Sequence, residues 1–183
     1  MNTQTYKTKN YKGLALALAF TLAFVLYLSL VLVPVSSCFR LEVGSNSLGL
    51  SFSYTEDMVM SFFEARTQAQ LLCYSKFLQM WDVLFAIVST MMFGSWIMYL
   101  FKDKRLFLIA PTTLGMVADW SENYIELLMI ETYLSSNTIS ETLVSLGSGL
   151  NSFKLTMGGL TYLIIITGIF LALKRLLTRR KAN

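Results

Sequence analysis

Long apolar runs alternate with short polar breaks along the chain, and the runs have helical length. Residues 14–33, 83–101 and 155–173 contain no charge, and another run begins at 106–118 and keeps helical spacing through Tyr133. About 20 predominantly apolar residues are needed for a helix to cross a bilayer. The pattern predicts four spans, at about residues 14–33, 80–101, 106–130 and 155–174. The third differs in carrying acids through its second half. The expected fold is an all-α membrane protein, a four-transmembrane-helix bundle forming a single membrane domain over residues 1–183.

Between the first two spans, over about residues 35–79, the period changes from helical to alternating. Phe39, Leu41 and Val43 alternate with Arg40 and Glu42. After Gly44-Ser45-Asn46-Ser47, Leu48, Leu50, Phe52 and Tyr54 alternate with Gly49, Ser51 and Ser53. Two period-2 runs around such a turn predict a small exoplasmic β-hairpin. Thr55 can then cap an interfacial helix whose first turn holds Glu56 and Asp57, where acids suit the helix dipole. Val59, Phe62, Phe63 and Ala69 share one face of it. Two readings fit: hairpin and helix cap the bundle, or Phe62 and Phe63 form a lid over a pocket. Cys38 and Cys73 both fall in this segment, where a disulfide and buried free thiols are each consistent with the chemistry.

Composition narrows the class. With 55% hydrophobic and 14% charged residues, against roughly 25% charged in soluble domains, a soluble domain is excluded. The chain has no histidine, which removes Ser-His-Asp and Cys-His catalysis and histidine-ligated metals. Its two cysteines are too few and too far apart for a CxxC pair or a four-cysteine metal site. No cofactor and no metal are expected.

Charge placement predicts orientation. With both termini cytoplasmic, the inner side holds Lys7, Lys9, Lys12, Lys102, Lys104, Arg105, Lys174, Arg175, Arg179, Arg180 and Lys181, and the outer side Arg40, Arg66, Lys76 and Lys154. The net charge of +4 therefore reads as a topology signal, with no nucleic-acid partner. Val35-Ser36-Ser37-Cys38 has the form of a lipoprotein cleavage site. The apolar run before it exceeds the roughly 7–15 residues of a signal peptide, so a retained first helix is expected.

The candidate chemistry lies in the third span. Thr112, Gly115, Asp119, Glu122, Asn123 and Glu126 are spaced by three or four and form one stripe. Ionisable groups inside a span face the bundle interior or a wet cavity. At 1.5 Å per residue, Asp119 stands about 21 Å above Arg105, and Glu122 and Glu126 stand about 26 and 32 Å above it. Asp82 in the second span and Lys154 in the fourth reach similar heights, and Tyr162 lies deeper on the fourth. Four carboxyls cannot all pair with one lysine, so Asp119 is expected to hold a proton or to lean on Asn123, Thr112 or Tyr162. Trp81, Trp120 and Tyr124 suit an interfacial belt. Gly158-Gly159 would permit close helix approach.

The order Phe52-Ser53-Tyr54-Thr55-Glu56-Asp57, a second span opening at Asp82, and Ala118-Asp119-Trp120-Ser121-Glu122-Asn123 resembles a group of uncharacterised four-span bacterial membrane proteins. The likeness runs from about Leu50 to Tyr124, and Ala-Asp-x-x-Glu-Asn is its most distinctive part. It implies a four-helix membrane fold in a bacterial inner membrane and brings no activity with it. Two functions stay open from the residues. One is a protein that binds a lipid or small amphiphile in an outward-facing pocket made by Asp82, Asp119, Glu122, Asn123, Glu126, Lys154 and Tyr162. The other is a non-catalytic membrane subunit that packs a partner helix of another membrane protein against the same stripe. Neither singles out a reaction.

Overall fold

The computed structural model describes residues 3–42, 47–101 and 105–181. Helix α1 (Thr3–Tyr27) passes through a π turn (Leu28–Leu32) into α2 (Val33–Val35) and a 3-10 turn (Ser36–Cys38), forming one continuous rod. Pro34 sits within the first positions of α2, where its fixed φ is accommodated. A cap follows, made of a 3-10 turn (Leu48–Leu50), α3 (Glu56–Glu64) and α4 (Gln68–Lys76). A second π turn (Phe77–Asp82) joins α4 to α5 (Val83–Leu100) without a break, and α6 (Arg105–Ser136) and α7 (Glu141–Lys181) complete an all-helical fold.

Three rods, Tyr11–Cys38, Gln68–Leu100 and Glu141–Arg175, are long and apolar enough to cross a membrane. The four-span expectation is met at three on that measure. At 32 residues, or about 48 Å, α6 has the length but falls short in apolar character. The cause is its acids, and Asp119, Glu122 and Glu126 are all turned inward and buried.

Among the described residues there is no strand, so the expected β-hairpin is not seen; part of its first run and its turn, residues 43–46, lie outside the described residues. The second run splits. Leu48 and Tyr54 are buried at 3% exposure, whereas Leu50 and Phe52 are exposed at 76% and 63%. The backbone here finds its partners in side chains of α7, not in a neighbouring strand. Asn151 Nδ2 donates to the Ser51 carbonyl, Ser152 Oγ donates to the Phe52 carbonyl at 2.9 Å, and Tyr54 N–H donates to Ser148 Oγ at 2.9 Å. The segment 47–54 is thus a strap laid across the end of the bundle.

The single interfacial helix is also corrected, because it is two. Thr55 caps α3 by accepting from Met58 N–H, and Val59, Phe62 and Phe63 are buried as the spacing suggests. The chain then breaks, and Thr67 and Gln70 form a reciprocal capping box that restarts it as α4. Ala69 is exposed on this second helix. Phe62 and Phe63 form no lid; they pack in the cap core with Phe39, Leu71, Tyr74, Met129 and Ile130. Ring centroids of Phe39 and Tyr74 lie 4.8 Å apart, and those of Phe62 and Tyr74 lie 5.2 Å apart. Arg66 threads this core, donating to the carbonyls of Phe39 at 3.1 Å and Phe62 at 2.7 Å while its guanidinium covers the Phe62 ring. Burial pushes its pKa below the usual arginine range. Cys38 and Cys73 are joined in a disulfide, tying the end of the first rod to α4.

Below the cap, small residues set the helix spacing. A Cβ at Gly115 would lie 3.5 Å from Met157 Cβ and 3.8 Å from the Lys154 carbonyl, so α6 and α7 are in direct contact there. At Gly168 a Cβ would stand 2.8 Å from Phe101 and 2.9 Å from Leu100, closing α7 onto the end of α5. Gly158 and Gly159 do not permit a close helix approach, contrary to the sequence reading. A Cβ at either meets nothing within 4 Å.

Candidate functional site

The α6 stripe faces α5 and α7, and a cavity of about 290 Å³ lies against it. All seven residues expected from the sequence line this cavity: Asp82, Asp119, Glu122, Asn123, Glu126, Lys154 and Tyr162. Helical spacing explains the α6 set, since Thr112, Gly115, Asp119, Glu122, Asn123 and Glu126 recur every three or four residues along one face. Asp82 arrives through the π turn, whose wider winding frees carbonyls from the α ladder. Side chains of the neighbouring helices meet carbonyls here. Tyr27 donates to the Trp81 carbonyl at 2.7 Å, and Trp120 Nε1 donates to that of Val83 at 3.3 Å. The Trp120 indole is thus a half-buried helix tie, Trp81 lends only its main-chain carbonyl, and Tyr124 is exposed.

Lys154 comes from α7 and enters the acids directly. Its Nζ lies 3.2 Å from Asp119 Oδ1 and donates to Glu122 Oε2. Asp119, expected to hold a proton or to lean on Asn123, Thr112 or Tyr162, takes an ion pair from Lys154. Glu126, enclosed at 1% exposure, accepts from the Tyr74 hydroxyl at 2.5 Å, and that hydroxyl also meets Ser47 Oγ at 3.1 Å. Asp82 makes no ion pair among the described residues. The Asn123 amide stands beside it. Asp119 Oδ2 and Glu122 Oε1 have no hydrogen-bond partner among the described residues, although both are buried. Buried polar atoms are rarely left so.

The strap roofs this acidic end. Gly49 sits directly above the ion pair, where a Cβ would lie 3.0 Å from Lys154 Nζ and 3.4 Å from Glu122 Oε1. A Cβ there would press on the tip of the lysine, which would have to give by a few tenths of an ångström. Tyr54, on the same strap, is buried near Glu126 and Glu122, and burial followed by those two charges pushes its hydroxyl far above the ordinary tyrosine range. The rest of the wall is mostly apolar, with Phe24, Phe85, Phe93, Met116 and Leu155. Phe93 meets Tyr162 edge-on at 5.0 Å. The cavity is therefore amphipathic: four carboxyl groups and one lysine at the strap end, and rings and aliphatic groups below.

Sequence reasoning missed Tyr74, Ser47 and Gly49. Tyr74 adjoins Cys73, and a phenol one turn before the second span is the only local signal it left. Ser47 and Gly49 were assigned to a hairpin, so their place over the acids was not visible. No protein-family model, curated protein or solved structure matches this chain.

Proposed function

We propose that this chain is a four-span membrane protein that binds a lipid or small amphiphile in the cavity between α5, α6 and α7. The observation that carries the reading is the cavity's division into an acidic end with unsatisfied carboxylate oxygens and an apolar end. An amphiphile has the matching division. The α6 acids are enclosed by their own bundle, with Glu122 at 0% exposure. A subunit that grips a partner helix would need that stripe on its outside, so the packing favours the ligand reading.

On this reading α6 is the third of four spans, its charges hidden from lipid as the cost of exposing them demands. Both termini are cytoplasmic by the positive-inside rule, and a bacterial inner membrane is the proposed location. Lys102 and Lys104, which contribute to that count, lie outside the described residues. The Cys38–Cys73 disulfide supports the same orientation, because disulfides persist on the oxidising side of a membrane.

Native mass spectrometry of the full chain, purified in mild detergent, tests the function. The wild type is expected to carry a retained amphiphile, and Asp119→Asn to lose it while keeping its helical circular dichroism. A wild type with no adduct, or a variant that retains the adduct fully, overturns the reading.

A further inference from the structure

The class of ligand can be narrowed, on the reading that the cavity binds an amphiphile. Lys154 is committed to Asp119 and Glu122, and Glu126 to Tyr74. Asp82 then faces the cavity without a cation, and fully buried Glu122 still presents an unpartnered Oε1. A neutral headgroup brings no cation to these oxygens, and an anionic one would set a further acid against them. An ammonium supplies one positive charge and up to three hydrogen-bond donors to the open oxygens.

The path of the tail is marked by a gap in the helix packing. A volume of about 290 Å³ holds on the order of ten water-sized groups at roughly 30 Å³ each. A longer molecule must leave the cavity. The α5 and α7 helices close on each other at Gly168, where Leu100 and Phe101 fill the contact. Nearer the strap, Gly158 lines the cavity and has no neighbour within 4 Å of its Cβ position. Tyr162, one turn below, lines the cavity and yet is 56% exposed, so the wall there is also the outer surface.

We infer that the ligand is a long-chain amine taken from the bilayer, with its ammonium between Asp82 and Glu122 and its tail leaving past Gly158. The full-length protein in phosphatidylcholine nanodiscs can be titrated with dodecylamine, dodecanol, dodecanoate and ethylamine. Dodecylamine is expected to bind the wild type at least tenfold more tightly than the other three. Asp82→Asn should weaken dodecylamine about tenfold. Gly158→Leu should do the same without lowering the unliganded melting temperature, since a Cβ at that position meets open space and leucine is the better helix former.

Dodecanol or dodecanoate matching dodecylamine on the wild type overturns the amine, as does an unweakened Asp82→Asn; a loss in Gly158→Leu would then still uphold the cavity itself. Ethylamine matching dodecylamine overturns the bilayer as the source. Failure of every probe to bind the wild type overturns the amphiphile reading along with this one. The four probes on the wild type decide the matter even if Asp82→Asn does not fold.

Discussion

The cap and the bundle interior are built from opposite materials. At the cap end, Phe39, Phe62, Phe63, Leu71, Tyr74 and Phe77 pack with Met129, Ile130 and Val144 of α6 and α7 into an apolar core. Between the helices Ala17, Ala86, Met92, Ile97 and Ala118 are buried together with the polar groups Thr112, Asp119, Glu122, Asn123, Glu126 and Thr161, while Leu22, Leu30, Leu163, Ile166 and Phe170 point outward. The solvent explains the inversion. In water, apolar burial drives folding. In lipid the tails are as apolar as leucine, so helices gain little by hiding it and associate through packing and polar contacts instead. The disulfide and the Tyr74 hydroxyl join the two regions.

The sharpest way to break this contrast is to remove the one cation from the acidic end. Lys154→Met leaves Asp119 and Glu122 buried without a partner, and losing one member of a buried ion pair costs about 3–5 kcal/mol. The detergent-solubilised melting temperature should fall more than for any other single change proposed here, and adding Glu122→Gln should recover part of the loss. A melting temperature unchanged in Lys154→Met would mean that the acids do not depend on the lysine. In the cap, replacing Cys38 and Cys73 together by serine removes a cross-link between residues 35 apart. Such losses are typically about 2–4 kcal/mol. Hydrogen exchange should rise in α3 and α4, with α6 and α7 protected as before. Equal loosening throughout would show the two regions to be one cooperative unit.

Legibility from sequence followed the same division. The apolar runs and the three-four spacing of the α6 acids are periodic, and periodic features survive without knowledge of what lies opposite. All seven expected residues line the same cavity, and Asp82 and Lys154 could be matched to the stripe by height alone. The strap was misread for the complementary reason. Alternation between Leu48 and Tyr54 records two buried side chains, but the backbone is held by Ser148, Asn151 and Ser152, about a hundred positions later. No local pattern carries that information. Gly158-Gly159 was ambiguous in the same sense, since a small residue marks either a close contact or an opening.

A smaller change tests the join between cap and bundle. Tyr74→Phe keeps the ring among Phe39, Phe62 and Phe77 but removes the hydroxyl that serves Glu126 and Ser47. An unsatisfied buried acceptor costs about 1–3 kcal/mol. If the cap is held to the bundle by apolar packing alone, the variant should melt as the wild type does. If the hydroxyl matters, the melting temperature should fall, and Glu126→Gln added to Tyr74→Phe should cost little more.

The smallest effect belongs to the strap. Ser148→Ala removes the acceptor of the Tyr54 N–H and leaves the buried Tyr54 side chain itself unchanged. A single neutral hydrogen bond contributes about 0.5–1.5 kcal/mol, so the global melting temperature should move little. The change should instead appear locally, as faster amide exchange at Tyr54, with the amides of α3 unaltered. Asn151 and Ser152 would still hold the carbonyls of Ser51 and Phe52, leaving the strap attached but looser over Gly49 and the acids. Exchange at Tyr54 that stays at the wild-type rate would mean that the buried Leu48 and Tyr54 side chains, and not the α7 hydrogen bonds, keep the roof on the cavity.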